Sequence, residues 1–555
     1  MTKVMRRKSF DLKAGKTIGF RASITTPDTV ETRLGTLKFF DGFPDKSTVE
    51  KCYENLDFQR GVQAFLTGLP AVSTEAFRRR LAESFGPANQ TVIISEQMLD
   101  AKTLALTGNN NTPYTFIWLD TKDGPLVLEM PPGALGMLDD SWQRWVTDVG
   151  VTGLDKGNGG KYLLLPPGHK GAVPDGYCVA RSRTFGHWLF FRTFLRDGDP
   201  KPGVENVKKH LRVYPLAKAG NPPEMKFFDF SGKAFNTIGP ADFSFFEYLN
   251  RVIHEEPNEA LSPDTLGLFA SIGIENGKTF APDARMKKIL TEAAAVGNAT
   301  VRTLAYKSRI KDAYLYPKSA WCLPWVGGSY QFEQNSVRLL DAQSWYFFYA
   351  FVDSEGNPLD GSKTYKLQLP PNIPVKDFWS VIIYDNQTRS QLQTDQRFPS
   401  VSSQTKGLAI NNDRSVDVYF GPKAPTGKEN NWVQTIPGKG WNVLLRLYGP
   451  LEPWFDKTWR PGEIELVPWL AKRGVGTRTG PDRIPGTCSG TPGFGQSLLR
   501  SYCSSIRVVS PLSLLPWPVQ MANQTVITVG IYLRSPRCMQ MFGRVVMPGL
   551  WPRGP

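Results

Sequence analysis

The sequence lacks the short motifs that identify several large enzyme classes. It contains no G-x-S-x-G nucleophile elbow, no G-x-x-x-x-G-K-[ST] phosphate loop, no G-x-G-x-x-G loop after a strand, and no H-x-H or H-E-x-x-H metal pair. Each of these motifs supplies a backbone turn or a ligand spacing that its chemistry requires. Their absence argues against a nucleophile-elbow hydrolase and against phosphate-loop and dinucleotide-binding enzymes.

Long apolar runs are also missing. No uninterrupted apolar stretch reaches the roughly 20 residues that a membrane-spanning helix needs. Arg6 and Arg7 are not followed by the apolar segment of a secretory signal. As written, the sequence therefore predicts a soluble, cytoplasmic protein without a membrane span.

Histidine and cysteine are scarce, with four and six residues in the chain of 555. The cysteines form no C-x-x-C pair and no regular spacing, so neither a zinc site nor a disulfide framework is predicted. A divalent metal would need two or three histidines and a carboxylate from neighbouring strands. His169 and His187 are the candidate ligands for such a metal, and beyond this possible metal the sequence leaves the cofactor open.

The net charge of +15 suggests nucleic-acid binding at first sight, but the distribution of charge argues against it. Ten basic residues and a single acidic residue lie within 466–555, so the remaining body is only mildly basic. The body has no dense Lys/Arg stripe interleaved with aromatic residues. We therefore expect no nucleic-acid partner.

Many short β-branched and aromatic runs are present, among them "YTFIWLD", "YLLLPP" and "WNVLLRLYGP", separated by turns such as "KDG" and "PDG". This pattern predicts a mainly β protein with a helical insert, built from two antiparallel β-sandwich domains. A further helix is expected from Ser47, which forms a capping box with Glu50. The predicted divisions are an extension over 1–34, a first β domain over 35–235, a helical linker over 236–335, a second β domain over 336–467, and an Arg/Pro-rich tail over 468–555 that is either disordered or a non-native reading frame.

Several blocks then resemble known families in the expected order. "NNNTPYTFIWLDTKDGPLVLEMPP" and "KYLLLPPGHKGAVPDGYCVARSRTFGHWLFFRTF" resemble the DUF1254 family, and "FWSVIIYDNQT", "NNDRSVDVYF" and "NWVQTIPGKGWNVLLRLYGP" resemble the DUF1214 family. The resemblance implies paired β-sandwiches of jelly-roll-like character and a biochemical role that is poorly defined. Relatives in these families often look exported, whereas this sequence shows no export signal.

Two positions depart from the family pattern. The resemblance implies Asn-x-Asp-Thr-x-Tyr near the first block, where this chain has Asn111 in place of the acid. An amide cannot ionise, so any base or metal ligand at that position would be missing. Arg414 stands where a turn glycine is usual, and we expect Asn412 or Asp413 to adopt any positive φ in that hairpin.

The first group of candidate pocket residues lies on two predicted strands. Tyr114, Trp118 and Asp120 alternate along one strand and therefore share a face. Arg181 and Arg183 share a parity with His187 and would suit a carboxylate ligand. The alternative is that these charged residues form solvated cross-strand pairs.

The stretch "FWSVIIYDNQTRSQL", residues 378 to 392, supplies the second group of candidates. Both of its alternating faces are apolar, which predicts a strand covered on both sides. The simpler interpretation is a strand that runs into a turn at Asp385 and Asn386, whose side chains bond their own backbone. Tyr384, Asp385, Asn386 and Arg389 remain a candidate site cluster.

Two functions of different classes follow from these features. The first is a binding or assembly protein, expected to be a homo-oligomer because of its large apolar strand faces. The second is a hydrolase-type enzyme, metal-assisted or not, that acts on a small carboxylate or sugar-like molecule between the two domains, where pockets commonly occur. A small-molecule ligand is compatible with both functions.

Overall fold

The structure is a computed structural model that describes residues 25–307, 319, 321–322 and 345–468. These residues belong to one compact unit, 1–473, and the second unit, 474–555, lies outside the described part. Most of the predicted extension 1–34, part of the linker 236–335 and the tail from 469 onwards also lie outside the described residues.

The described residues form six α-helices and 24 β-strands. The helices are α1 Lys46–Ser84, α2 Lys201–His210, α3 Ser244–Glu255, α4 Pro263–Ala270, α5 Ala284–Tyr306 and α6 Glu452–Phe455. The strands before α3 are β1 Thr29–Thr32, β2 Gly35–Phe40, β3 Phe43–Pro44, β4 Thr91–Ile94, β5 Thr103–Leu104, β6 Tyr114–Asp120, β7 Leu126–Met130, β8 Leu135–Asp140, β9 Trp145–Gly150, β10 Gly160–Leu165, β11 Cys178–Arg181, β12 Gly186–Arg192, β13 Arg212–Pro215, β14 Lys226–Asp229 and β15 Phe235–Asn236. The strands after α5 are β16 Trp321–Cys322, β17 Trp345–Ala350, β18 Tyr365–Leu369, β19 Val375–Asp385, β20 Ser400–Ser402, β21 Val416–Gly421, β22 Trp432–Gln434, β23 Trp441–Pro450 and β24 Ile464–Leu466.

Four larger sheets carry most of these strands. Sheet I has the order β14-β4-β6-β12-β8-β9, and sheet II has the order β11-β10-β7-β13. Sheet III has the order β16-β17-β23-β19-β20, and sheet IV has the order β22-β21-β18-β24. Most neighbouring strands are antiparallel, but β10 with β11, β4 with β14 and β21 with β22 pair in parallel. The prediction of a mainly β protein with a helical insert is confirmed.

Apolar layers hold these sheets together in a stack. One layer lies between sheets I and II, and another lies between sheets III and IV. A third layer, called the middle layer below, combines side chains of sheets I and III with Phe77 and Leu81 of α1. The alternation of side chains along a strand explains this arrangement, because each central strand can present apolar residues to both of its faces.

Strand β19 shows this arrangement most directly. Trp379, Val381 and Ile383 pack between sheets III and IV, while Ile382 and Tyr384 pack in the middle layer. The predicted coverage of both faces is therefore confirmed. The covering groups belong to the same chain.

A helical cluster lies beside the sheets. Helices α1, α3, α4 and α5 pack around a shared core that includes Phe65, Phe245 and Leu290. Asp283 caps α5, as its side chain accepts a hydrogen bond from the Met286 N–H at 2.7 Å. Among the described residues, no helix combines the length and the apolar character needed to cross a bilayer.

Two local predictions require correction. Helix α1 is capped by Asp45, whose carboxylate accepts from the Thr48 N–H at 2.7 Å, so Ser47 lies inside the helix and does not form the expected capping box. In the hairpin over 411–415, Arg414 itself has a φ of 67°. Neither Asn412 nor Asp413 has a positive φ.

Candidate functional site

A cavity of about 90 Å³ lies in the middle layer. Its walls are mainly aromatic, with Phe77 from α1, Phe116 from β6, and Trp188 and Phe190 from β12. Arg446 of β23 lines the cavity from sheet III. One water molecule needs roughly 10–15 Å³ of such space, so the cavity has room for a small organic ligand.

Tyr114 lines this cavity, and its hydroxyl group is held by a hydrogen-bond network with Asn109. The Asn109 Oδ1 accepts from the N–H groups of Asn111 at 2.8 Å and Thr112 at 2.9 Å, which fixes the orientation of the amide. The Asn109 Nδ2 then donates to the Tyr114 hydroxyl oxygen, and the Asn109 N–H donates to the same oxygen at 3.0 Å. A phenol oxygen has two lone pairs and one hydrogen. Because both lone pairs are used, Tyr114 retains its hydrogen as a donor, and this hydrogen forms no hydrogen bond with a described residue.

Arg446 brings a second donor group to the cavity from the middle of an apolar strand. Its Nη1 donates to the Tyr384 hydroxyl oxygen at 2.7 Å, and its Nη2 donates to the Thr107 carbonyl oxygen. Tyr384 in turn donates to the Gly108 carbonyl oxygen at 2.9 Å. Burial raises the pKa of Tyr384, so its hydroxyl group stays protonated and available for this bond. These bonds fix the segment before Asn109 against sheet III.

Arg192 is the second cation on the cavity wall. It is almost fully buried, and its guanidinium carbon lies 5.3 Å from the ring centroid of Tyr114 and 5.2 Å from that of Phe190. Cation–π contacts of this kind stabilise a buried guanidinium group without neutralising it. The cavity wall is thus mainly apolar and includes the side chains of two arginines, Arg192 and Arg446.

The structure separates the first group of predicted residues along β6. Tyr114 lines the cavity, and Trp118 and Asp120 share its face, as predicted from their alternation. Trp118 and Asp120 instead line a second pocket of about 10 Å³, which is room for about one water molecule. The Asp120 carboxylate is partly exposed and pairs with Lys122 at 3.7 Å, which is a local pair in the turn after β6 and not the cross-strand pair of the alternative.

The predicted alignment of Arg181, Arg183 and His187 on one strand is wrong. Arg181 ends β11 in sheet II, and β12 with His187 begins only at Gly186 in sheet I. Arg183 lies between the two strands, and both arginines are exposed. Arg181 and Arg183 do not share a face with His187, because the chain turns between β11 and β12.

The two histidines proposed as metal ligands lie in different surroundings. His187 is fully buried on the side of β12 that faces away from the cavity, and burial lowers its pKa to about 3. His169 lies in the loop after β10 and is half-buried. Within the described residues, no group of three or more His, Cys, Asp or Glu side chains is arranged to hold a metal ion. A divalent metal at His169 and His187 thus stays a prediction.

The second group of predicted residues forms a turn that contacts the helices. The Asp385 Oδ1 accepts from the Gln387 N–H at 2.6 Å, which confirms the predicted strand-to-turn interpretation. The Asn386 carbonyl oxygen accepts from Arg302 at 3.0 Å and from the Tyr306 hydroxyl group at 2.6 Å. Among the four residues of this group, Tyr384 contacts the cavity network directly, and Arg389 lines a neighbouring cavity.

Asn111, which replaces the acid of the family pattern, is buried in the Asn109 turn. Its Oδ1 has no hydrogen-bond partner among the described residues. Its N–H helps to orient the Asn109 amide, so the position contributes to the Tyr114 network through its backbone.

Asn109, Arg192 and Arg446 were not among the site residues predicted from the sequence. Arg192 and Arg446 each interrupt an apolar strand, in "HWLFFRTF" and "WNVLLRLYGP". A charged residue inside a strand that is buried on both faces can itself indicate a site, because burying a cation is costly unless it is paired or hydrogen-bonded.

Comparison with known families gives two matches. Residues 88–215 match "Protein of unknown function (DUF1254)", and residues 344–452 match "Protein of unknown function (DUF1214)". The first match contains Tyr114 and Arg192, and the second contains Tyr384 and Arg446. No curated protein matches the chain.

Solved structures also show similarity to this chain. The VPA0106 protein from Vibrio parahaemolyticus is 20% identical, with a TM-score of 0.48 over 74% of this chain and 100% of that one. A putative uncharacterized protein from Burkholderia cenocepacia is 12% identical, with a TM-score of 0.36 over 75% of this chain and 96% of that one.

Proposed function

The chain is a protein with a DUF1254 and a DUF1214 region, and from that premise we propose that it binds a short-chain carboxylate in the middle-layer cavity. The observation that best supports the proposal is the hydrogen bonding of the Tyr114 hydroxyl group. Its oxygen already accepts two N–H donors, so it offers a hydrogen to a ligand at the cavity wall.

Charge favours an anionic ligand. Arg192 and Arg446 line the same cavity as Tyr114, and all three side chains can donate hydrogen bonds. Hydrogen bonds from charged or polarised donors to a carboxylate are stronger than those between neutral groups. A carboxylate therefore suits these donors better than an alcohol or an amide.

Size favours a short apolar body. An apolar cavity of roughly 150 Å³ admits benzene, whereas this cavity measures about 90 Å³. A ligand with a chain of about three or four carbons is smaller than benzene, so it suits this smaller cavity better than an aromatic ring does. Butyrate is therefore a suitable probe.

Binding is favoured over hydrolysis by the composition of the wall. Among the described residues that line the cavity, there is no Asp, Glu, His or Cys. A hydrolase normally needs such a group as a general base or as the partner of a nucleophile. The wall therefore supports recognition of a carboxylate more strongly than its chemical conversion.

An assembly role was expected mainly from the apolar faces of β19. Both faces are covered by other parts of the same chain, so they do not support that role. The expected homo-oligomer thus stays a prediction without support from these strand faces.

The test is titration calorimetry of the purified protein with butyrate and with 1-butanol. We expect butyrate to bind and butanol to bind at least about tenfold more weakly, since a hydrogen bond to a charged group contributes about 1.5–3 kcal/mol. Tyr114→Phe should weaken butyrate binding by about tenfold or more for the same reason. Tyr419→Phe, outside the cavity, is the matched control and should leave the affinity unchanged.

A second, cavity-filling variant keeps the test valid if Tyr114→Phe does not fold. Ala105→Leu adds volume at the wall without removing a hydrogen bond, and it should abolish butyrate binding while a cooperative thermal transition is retained. Equal affinity for butyrate in the wild type and in both cavity variants would contradict the proposed site.

A further inference from the structure

Resting on the proposed ligand site, we propose that a second cavity is its entrance chamber and that Leu106 is the gate between the two. The second cavity, called the outer chamber, has a volume of about 40 Å³. Ser73 and Leu106 line both cavities, so these two side chains form the wall between them.

The outer chamber reaches the protein surface at Ala241. It is enclosed by α1 and α5, through Phe65, Val72 and Val301, and by the segment 238–241. Its lining includes Ala241, which is exposed, while Phe65, Val72 and Val301 are buried. A small molecule that enters beside Ala241 would therefore meet Leu106 before it reached the middle layer.

The backbone around Leu106 is held at both ends. Before it, the Leu104 carbonyl oxygen accepts from the N–H and the hydroxyl group of Thr237, both at 3.0 Å. After it, the Thr107 N–H donates to the Arg389 carbonyl oxygen at 2.8 Å. The Gly108 carbonyl oxygen accepts from Tyr384.

Leu106 itself makes no backbone hydrogen bond with any described residue. Its side chain is only half-buried although it lies between two cavities. Displacing it would break no hydrogen bond with the described part of the chain, whereas moving Leu104 or Gly108 would. Segments with few such bonds open at low free-energy cost.

The positive charge of Arg389 in the outer chamber favours the passage of an anionic ligand. Arg389 is among its lining residues, and burial lowers the pKa of Arg389 to about 10, so the guanidinium group keeps its charge at neutral pH. Arg446 lies on the inner side, bonded to Thr107 immediately after the gate. Positive charges on both sides of the wall would raise the local concentration of a carboxylate along this route.

The test measures exchange rates with fluorine NMR, using trifluorobutyrate as the probe and the full-length protein. In Leu106→Ala the association and dissociation rates should both rise by about tenfold, because a smaller gate residue lowers the barrier to entry and the barrier to exit alike. The dissociation constant should change much less than the rates. Leu106→Trp should slow both rates by a similar factor.

Leu104→Ala is the matched control, since Leu104 is a half-buried leucine on the same segment and lines neither cavity. Its exchange rates should equal those of the wild type. Equal rates in the wild type and in both Leu106 variants, with the probe bound, would overturn the gate and leave the ligand site intact. Failure of the wild type to bind the probe at all would overturn the ligand site and the gate together.

Discussion

At the scale of single residues, the Asn109 turn gives the motif "NNNTPY" a physical reason. Asn109 uses its Oδ1 to hold the backbone of Asn111 and Thr112, and uses its Nδ2 to hold the Tyr114 hydroxyl group. Asparagine suits this position because its amide offers an acceptor and a donor at once, which an aspartate cannot do. The turn therefore sets the direction in which Tyr114 can donate.

Arg414 offers a test of backbone strain at a single position. A non-glycine residue with φ of 67° costs about 1–2 kcal/mol, and the greater freedom of glycine in the unfolded chain offsets part of the gain from replacing it. We expect Arg414→Gly to raise the free energy of unfolding by about 0.5–1 kcal/mol in urea denaturation. Lys423→Gly, at an exposed loop position without a positive φ, should instead lower it. A destabilised Arg414→Gly would show that the arginine side chain outweighs the strain.

His187 makes a prediction about acid stability. Burial lowers its pKa to about 3 in the folded protein, whereas an unfolded histidine titrates near 6.5. Below about pH 6.5 the unfolded chain binds this proton and the folded chain does not, so acid favours unfolding. The contribution is lost as the pH falls from about 6.5 towards 3, at about 1.4 kcal/mol per pH unit.

His187→Leu should therefore flatten the fall of unfolding free energy between pH 6.5 and pH 4, measured by urea denaturation at each pH. His254→Gln is the control, because His254 is exposed. If His187→Leu and the wild type lose stability in parallel on acidification, His187 is not buried in its neutral form.

At the scale of elements, β19 is the part of the fold that the sequence described best. Apolar residues at successive positions rather than alternate ones indicated coverage on both faces, and the structure confirms it. The sequence did not show what covers each face, because the pattern within β19 does not say which strands pack on it, whether they are near along the chain, as β18 is, or far away, as β6 is.

Truncation on either face of β19 should therefore cost similar amounts of stability. Ile382 and Ile383 are both fully buried, one in the middle layer and one between sheets III and IV. We expect Ile382→Ala and Ile383→Ala each to lower the unfolding free energy by about 2–5 kcal/mol. Ile410→Ala, at a position that is 62% exposed, should cost less than about 1 kcal/mol. A cost near that of Ile410→Ala for either residue would mean that one face of β19 is open to solvent.

The ends of elements were harder to predict than their existence. Ser47 was predicted as the cap of α1 because Glu50 follows it three residues later, but Asp45, which is also a good capping residue, caps the helix. Likewise "CVARSRTFGHWLFF" contains no glycine or proline before Gly186, and the break between β11 and β12 gave no strong signal. The error about Arg181 and Arg183 follows from that missing signal.

At the scale of the whole molecule, the cavity depends on parts that lie far apart along the chain. Phe77 comes from α1, Tyr114 and Arg192 from sheet I, and Arg446 from sheet III. The sequence indicated Tyr114 and the neighbourhood of Tyr384, but periodicity within one strand cannot show that two sheets meet around a void. The sequence therefore marks Arg192 and Arg446 only as charges inside apolar strands, and the structure is needed to show that both line one cavity.

The same layer links the two family regions to one another. Tyr384 and Arg446 from the DUF1214 region bond the segment 107–108 in the DUF1254 region, directly before the Asn109 turn. A change in sheet III would therefore reach the Tyr114 hydroxyl group through two backbone carbonyl groups. The proposed ligand site thus requires both regions.

The measurement that tests the central claim most directly is a crystal structure of the protein grown with butyrate, compared with one grown without it. The account predicts butyrate density in the middle-layer cavity, with one carboxylate oxygen within hydrogen-bonding distance, about 2.5–3.0 Å, of the Tyr114 hydroxyl oxygen. Butyrate bound only outside the middle layer, or a cavity with the same contents in both crystals, would contradict it.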